Sequence, residues 1–373
     1  MNENFLQERY QRQIILKGFG EKAQQSLLQA KVLVVGAGGL GCPVLQYLTA
    51  AGVGKIGIVD GDVVSVSNLH RQVLFDESDI GKYKVAIALN KLKLMNGATD
   101  IEVYPYYLDT NICLEIISSY DVVVDCTDNF SSRYLINDAC VLKQKPLVFA
   151  AVSGFEGQVA VFNCMIAEKK VSGNYRDLFP IQPNDGEVLN CAEAGVLGIL
   201  PGIIGSMQAS EAIKIIAGIG KPLINQLLTF NALNNETTIF TYNQNVESTV
   251  VKSEDDFYRM NYDASCETVN NPFEIDVAAF DKMIVQKETI IDVRELYELP
   301  VANEFAHIKI PLVQLTNSLN KLPEGKIIFF CQSGMRSMQA ATMAAEYFAD
   351  GKRFFSLQGG ILAWKKMHKT QLS

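Results

Sequence analysis

Residues 30–41 read AKVLVVGAGGLG. The apolar run Val32–Val35 has the continuous hydrophobicity of a strand covered on both faces of a parallel sheet. Gly36-Ala37-Gly38-Gly39-Leu40-Gly41 follows it and leads into a helix expected over Cys42–Ala51. Glycines at Gly36, Gly38, Gly39 and Gly41 let the backbone approach a phosphate closely, and a helix N-terminus favours negative charge. Asp60 ends the next strand, within GKIGIVDGD. A carboxylate at that point accepts hydrogen bonds from ribose hydroxyls. These features alone fit a nicotinamide dinucleotide enzyme as well as an ATP enzyme.

Further strands are expected in IEVYPYYL, YDVVVDCTDN and PLVFAAVSG, with helical stretches between them. Alternation of strand and helix means a doubly wound α/β sheet of Rossmann type. GQVAVFN and LLTFNALNNETTIFTYN add antiparallel strands, which makes the sheet mixed. Between them runs a long Gly/Pro/Asn-rich stretch, VSGNYRDLFPIQPNDGEVLNCAEAGV, and then a helix expected over Gly205–Ala217. A long loop inside a compact domain is often functional. Around residues 243–271 the chain turns polar and weakly periodic, and after Pro272 a second, smaller α/β pattern begins. ETIIDVR and GKIIFFCQSG read as its strands and RSMQAATMAAEYFAD as its helix. The expected division is a nucleotide-binding domain over 1–245, a linker over 246–271 and a small α/β domain over 272–373.

The residues after Asp60 separate the two nucleotide readings. DGDVVSVSNLHRQVLF carries Asn68 and Arg71, GKYK brings Lys84, and Arg12 lies in YQRQIIL. Three cations and an amide around a Gly-rich loop suit a triphosphate, because arginine grips phosphate oxygens with a fork and lysine supplies a mobile charge. Any one of these cations is also compatible with a solvated surface charge. VDCTDNF places Asp125 and Asp128 at a strand end, where a carboxylate can hold Mg²⁺ against phosphates. The alternative for Asp128 is an N-cap on SSRYLIND.

Composition narrows the function classes. The 373 residues carry a formal charge of −8, unlike the basic face of a nucleic-acid binder. The N-terminal stretch MNENFLQERYQRQIILKGFG lacks the apolar core of a signal peptide. The apolar run near Gly195–Ile204 is too short and glycine-rich to span a membrane, so a cytoplasmic protein is expected. The eight cysteines are scattered and form no CxxC pair, which speaks against a disulfide framework or a zinc knuckle.

GAGGLG, VDGDVVSVSNLHRQ, GKYK, DCTDNFSSRYLIND, FEGQVAVF and NCAEAGVLGILPGIIGSMQASEAIKIIAG together resemble the MoeB/ThiF family. These relatives of the ubiquitin-activating enzyme adenylate sulfur-carrier proteins. The resemblance runs from Arg9 to Tyr242. It implies that Gly38 and Asp60 lie at the nucleotide, that Asn68, Arg71 and Lys84 contact ATP, and that Asp128 binds Mg²⁺. It also implies a homodimer in which Arg12 reaches the site of the second subunit. The chemistry agrees with this, since a protein C-terminus is already ionised at neutral pH and needs alignment and charge neutralisation to attack the α-phosphate.

Many members of that family hold structural zinc on two CxxC pairs. Here Asn174 and Asp177 stand at the first pair, and YNQNVEST has no cysteine at the second. Four thiolates cannot be assembled, so no structural zinc is expected. Cys191, in NCAEAGV, remains. In the family, a cysteine there is associated with sulfur transfer or covalent chemistry at the carrier terminus; an inert loop cysteine is the alternative.

Cys331-Gln332-Ser333-Gly334-Met335-Arg336-Ser337 follows the strand IIFF and precedes a helix. Backbone N–H groups and the helix dipole at such a turn stabilise an anionic sulfur. With IDVRELYEL upstream and LQGGILAW downstream, the segment resembles a rhodanese domain from Pro272 onward. A tyrosine phosphatase is the rival, but it usually spaces Cys and Arg by five residues, whereas four intervene here. Asp292 and Arg294 match the family's DVR strand end and are read as structural. VANEFAHIKIPLV is shorter than the family's usual pattern.

The expected reaction is ATP-dependent adenylation of a ubiquitin-like sulfur carrier ending in Gly-Gly, followed by sulfur transfer from a Cys331 persulfide to give a thiocarboxylate, with Cys191 resolving the intermediate. The expected sulfur donor is a persulfide protein such as a cysteine desulfurase. The carrier would serve molybdopterin, thiamine or another thio-product. Two other readings stay open at this stage: adenylation of another carboxylate without sulfur transfer, and a non-catalytic ATP-stabilised scaffold that docks carriers.

Overall fold

The computed structural model describes residues 3–167, 170–183, 195–245, 251–262, 273–296, 298, 300–350 and 353–369. The chain divides into two compact units, the second holding residues 265–373. Among the described residues no helix is long and apolar enough to cross a membrane.

The first unit is built on an eight-stranded sheet. Its strands are β1 (Lys31–Val35), β2 (Lys55–Val59), β3 (Asp100–Tyr104), β4 (Val122–Asp125), β5 (Leu147–Ser153), β6 (Glu156–Phe162), β9 (Gln226–Asn231) and β10 (Glu236–Thr241), with β7 (Met165–Ala167) and β8 (Lys170–Val171) forming a separate hairpin. The spatial order is β10-β9-β6-β5-β4-β1-β2-β3. The strands from β3 to β5 are parallel, and β6, β9 and β10 continue antiparallel. This is the mixed, Rossmann-like sheet expected from the alternation of strands and helices.

Period-two alternation sends the two halves of β1 to opposite faces. Val32 and Val34 join Leu45, Leu48, Ile56 and Ile204 in one core. Leu33 and Val35 join Tyr134, Ile136, Phe149 and Tyr175 in the other. Both faces are dry, which is why β1 reads as an unbroken apolar run. β3 stops at Tyr104 rather than running on to Leu108. The helix expected from Gly205 begins at Leu200, with Pro201 in its first turn, where a missing N–H costs nothing.

Residues 251–262, within the polar stretch read as linker, pack on this unit. The helix Glu254–Arg259 is capped by Ser253, and Phe257 is fully buried. Val251 and Tyr262 enter the same core as Tyr134. The Tyr262 hydroxyl donates to Asp138 at 2.8 Å.

The second unit carries five parallel strands: β11 (Glu274–Ile275), β12 (Thr289–Asp292), β13 (Ile308–Lys309), β14 (Ile327–Phe330) and β15 (Phe354–Leu357), in the order β11-β15-β14-β12-β13. Ile327 and Phe329 of β14 face one core, Ile328 and Phe330 the other. The central strand is therefore sealed on both sides, and its C-terminal end delivers Cys331.

Candidate functional site

In the first sheet β1 has β2 on one side and β4 on the other, so the strand order reverses there. The crevice beyond the C-terminal ends of strands at such a reversal is where α/β sheets bind ligands. Gly36 turns the chain at the end of β1 with φ of +97°, in the left-handed region. A Cβ on Gly41 would lie 2.0 Å from the Gly36 carbonyl oxygen, so the helix Gly41–Ala51 starts flush against that turn. A Cβ on Gly39 would press on Pro201 at 3.0 Å, whereas the nearest atom to one on Gly38 is Gln72 Nε2 at 3.6 Å. The bare face of Gly38 thus borders the open space of a cleft.

Asp60 lines this cleft and is buried. Its Oδ2 accepts the Ala37 N–H and its Oδ1 the Asp62 N–H, each at 2.8 Å. Burial raises its pKa above the ordinary value, against the opposing pull of Lys84. Lys84 is itself buried and donates to Asp62 Oδ2 at 2.7 Å. The Tyr107 hydroxyl donates to the other Asp62 oxygen. Burial pushes the Asp62 carboxyl up, but the hydrogen bonds from Lys84 and Tyr107 outweigh it and hold the group below the usual range. Arg71 lines the same wall and donates from Nη1 to the Ser67 carbonyl at 2.8 Å.

Opposite stands the end of β4. Asp128 is exposed and lines the cleft. The N-cap of the helix Phe130–Leu142 is Asn129, whose Oδ1 accepts the Ser132 N–H at 2.8 Å. The capping alternative for Asp128 therefore falls away. Asp125 is fully buried, accepts both donors of Thr127, and its pKa is raised by burial. Gln72 Oε1 and Arg133 Nε, from two residues that line the cleft, are buried without a hydrogen-bond partner among the described residues. Unpartnered buried polar atoms are rare in native proteins, and these two fit a polar ligand.

Gly36, Gly38, Gly39, Asp60, Arg71, Lys84 and Asp128 thus share one cleft. Three residues expected at the nucleotide, Asn68, Gly41 and Arg12, do not line it, and neither does Asp125. Asn68 accepts the Ser65 N–H at 3.1 Å and closes the short turn Val66–Asn68. Gly41 is consumed by the packing of the loop. Arg12 is exposed on the helix Glu3–Ile14. Asp62, Tyr107, Gln72 and Arg133 belong to the cleft but were not singled out from the sequence. The DGD triplet was the one local signal for Asp62. Cys191 lies outside the described residues.

Asn174 and Asp177 form a capping box on the turn Tyr175–Leu178, with the Asn174 N–H donating to Asp177 at 2.7 Å. The Asn245 N–H donates to the second Asp177 oxygen at 2.8 Å. Hydrogen bonds thus join the segment of Asn174 and Asp177 to that of Asn245, the two places where the resemblance would have put CxxC pairs.

In the second unit Cys331 is buried at the end of β14. The Gly334 N–H donates to its Sγ at 3.2 Å, and the Ser337 hydroxyl lies 3.5 Å from the sulfur. Gly334 has φ of +104°, and the helix Met335–Phe348 begins directly after it. A Cβ on Gly360 would meet the carbonyls of Gln332 and Cys331 at 2.5 and 2.6 Å, so the helix Gly360–Lys369 closes tightly on the loop. Arg336 grips Glu298 with both Nη atoms, each at 2.6 Å. Burial raises the Glu298 pKa, but the Arg336 hydrogen bonds win and hold it below the usual range. Arg294 forms a buried fork with Asp292 and also donates to the Pro300 carbonyl at 2.8 Å. Both guanidinium charges are thus paired with carboxylates.

Comparison with known proteins agrees with this geometry. Residues 10–250 match the ThiF family, and residues 276–367 match the rhodanese-like domain. The sulfur carrier protein adenylyltransferase of Thermus thermophilus is 50% identical over 238 residues, covering 64% of this chain and 88% of that protein. The probable adenylyltransferase/sulfurtransferase MoeZ of Mycobacterium tuberculosis is 38% identical over 383 residues, covering 98% and 94%. Among solved structures, Escherichia coli MccB with MccA-N7isoASN superposes with a TM-score of 0.58 at 22% identity, over 65% of this chain and 74% of that one, a likeness of fold. The cleft at the strand-order reversal, the cysteine cradle and these matches lead to one conclusion: the chain belongs to the ThiF family and carries a rhodanese-like domain after its adenylyltransferase fold.

Proposed function

We propose that this adenylyltransferase and sulfurtransferase uses ATP to activate the C-terminal glycine of a ubiquitin-like sulfur carrier, and then passes it sulfur from Cys331. The observation that carries this reading is the pairing, on one chain, of a cleft lined by Arg71, Lys84 and Asp128 beside the bare face of Gly38 with a buried cysteine cradled by a backbone N–H.

The carrier carboxylate oxygen bonds to the α-phosphorus of ATP as the bond to the β-phosphate oxygen breaks, and pyrophosphate leaves. Asp60 holds the ribose through its remaining lone pairs, while Arg71 and Lys84 neutralise phosphate charge. Asp128, exposed at the cleft with capping left to Asn129, suits a divalent cation, and Mg²⁺ held there would offset charge on the leaving group. Arg12, exposed at the end of the first helix, serves the cleft of a second copy in a homodimer.

Cys331 receives sulfane sulfur from a persulfide donor of the cysteine desulfurase class. Its terminal sulfur then attacks the acyl-adenylate carbonyl, AMP leaves, and a carrier acyl disulfide remains on Cys331. Attack by the Cys191 thiolate on the Cys331 sulfur gives a Cys191–Cys331 disulfide and releases the carrier thiocarboxylate. A dithiol reductant resets the pair. The adenylating portion corresponds to residues 1–245 and the sulfur-bearing portion to 272–373, in a cytoplasmic enzyme.

ATP–pyrophosphate exchange with each candidate carrier, in wild type and Asp128→Ala, tests the first half. Exchange with one carrier, lost in the variant, is the expected result. No exchange with any carrier overturns it and leaves sulfur relay as the activity.

A further inference from the structure

Two buried hydroxyls stand behind the Cys331 loop. Ser337 lies in the first turn of the helix Met335–Phe348 and Ser356 on β15, and both are fully buried. Their oxygens are 2.9 Å apart. The Ser337 hydroxyl reaches the Gly334 carbonyl at 2.8 Å and the Cys331 sulfur at 3.5 Å. The Ser356 hydroxyl reaches the same Gly334 carbonyl at 3.2 Å. That carbonyl already accepts the Met338 N–H at 3.0 Å.

A carbonyl oxygen has two lone pairs, and each serine has one hydroxyl proton. With Met338 on one lone pair, two hydroxyls compete for the other. When Ser337 takes it, Ser356 donates to the Ser337 oxygen, and the sulfur keeps the Gly334 N–H. When Ser356 takes it, the Ser337 proton is released toward Sγ. A hydrogen bond to an anionic acceptor is about twice as strong as one between neutral groups. An anionic sulfur therefore favours the second arrangement, and Ser356 makes it possible without leaving the carbonyl short of a donor.

We propose that Ser356 is a positioning residue for sulfur transfer: it holds the Gly334 carbonyl so that Ser337 can donate to the thiolate or persulfide anion of Cys331. The exchange consists of two hydroxyl rotations, with no bond made or broken. The proposal rests on the reading of Cys331 as the sulfur-bearing nucleophile.

The test is the pH profile of iodoacetamide alkylation at Cys331 in the full chain, read by mass spectrometry of the peptide that contains it. Ser356→Ala is expected to displace the profile to higher pH, on the order of half a unit to one unit, the equivalent of about one hydrogen bond. Ser356→Thr keeps the hydroxyl and is expected to restore the wild-type profile. Ser337→Ala is expected to displace it too, and the double variant no further than Ser337→Ala alone. An unmoved profile in folded Ser356→Ala overturns the proposal. If Ser356→Ala does not fold, an unmoved profile in Ser337→Ala overturns it instead. Persulfide loading is read separately, as a mass increase of one sulfur on the same peptide. A displaced profile without loading supports the hydroxyl exchange while refuting Cys331 as sulfur bearer.

Discussion

Lys84 Nζ sits 2.7 Å from Asp62 Oδ2, with the lysine side chain only 5% exposed and the aspartate half exposed. The ammonium that should meet a triphosphate is thus already balanced by a carboxylate at the rim of the cleft. Removing Asp62 would leave a buried charge without its partner. Asp62→Asn is expected to lower the melting temperature of the free protein and to enlarge the upward shift produced by ATP, measured by calorimetry with and without nucleotide. The Asp62 pKa lies below its unfolded value, so the stabilisation is present above the ordinary aspartate range and is lost as pH falls through the folded value. The gap between wild type and Asp62→Asn should therefore begin to narrow as pH falls below about 5 and close only below the ordinary aspartate pKa.

Asp128 and Asn129 are neighbours with separable duties. Asp128→Ala is expected to reduce pyrophosphate exchange by at least about 100-fold with little change in melting temperature. Asn129→Ala removes the helix cap and is expected to cost about 1 kcal/mol of stability. Exchange assays and denaturant melts on both variants check the division, and a destabilised but active Asp128→Ala would contradict it.

Cys331→Ser is expected to retain carrier-dependent pyrophosphate exchange and to lose thiocarboxylate formation, measured by the mass of the carrier after incubation with a persulfide donor. Thiocarboxylate at the wild-type yield in this variant would mean that sulfur reaches the adenylate by another route.

The ion pair Arg176–Asp138 is buried, at 2.7 Å, and Asp138 also accepts the Tyr262 hydroxyl. Asp138→Ala strands a buried guanidinium and is expected to cost about 3–5 kcal/mol. Tyr262→Phe removes one hydrogen bond and is expected to cost about 1 kcal/mol. Urea denaturation of the two variants measures both, and an unaffected Tyr262→Phe would argue against docking of residues 251–262 on the first unit.

The strands and the Gly-rich loop were legible because they are local. β1 announces itself by an apolar run, and the loop after it by the run of glycines from Gly36 to Gly41. The pairings that finish the sites were not legible. Tyr107 meets Asp62 across 45 positions, and Ser356 meets Ser337 across 19; no periodicity marks either partnership. Tyr107 was hidden further because its stretch reads as strand, although β3 ends at Tyr104. Asn68 misled in the opposite sense, since an amide beside cations suggests ligand contact, while its oxygen is used by the Ser65 N–H. The docked helix Glu254–Arg259 went unread because it is short and mostly charged, and Phe257 alone is buried on it.

Asp60 joins Ala37 to Asp62, one backbone amide on each carboxylate oxygen. The Gly-rich loop and the loop that presents Asp62 are therefore ordered together, before any nucleotide arrives. Fixing a residue's backbone costs about 1–2 kcal/mol of conformational entropy, and here that cost is met once, when the chain folds. Each catalytic cycle then begins from a rigid nucleotide seat, and binding energy remains for aligning the reacting groups.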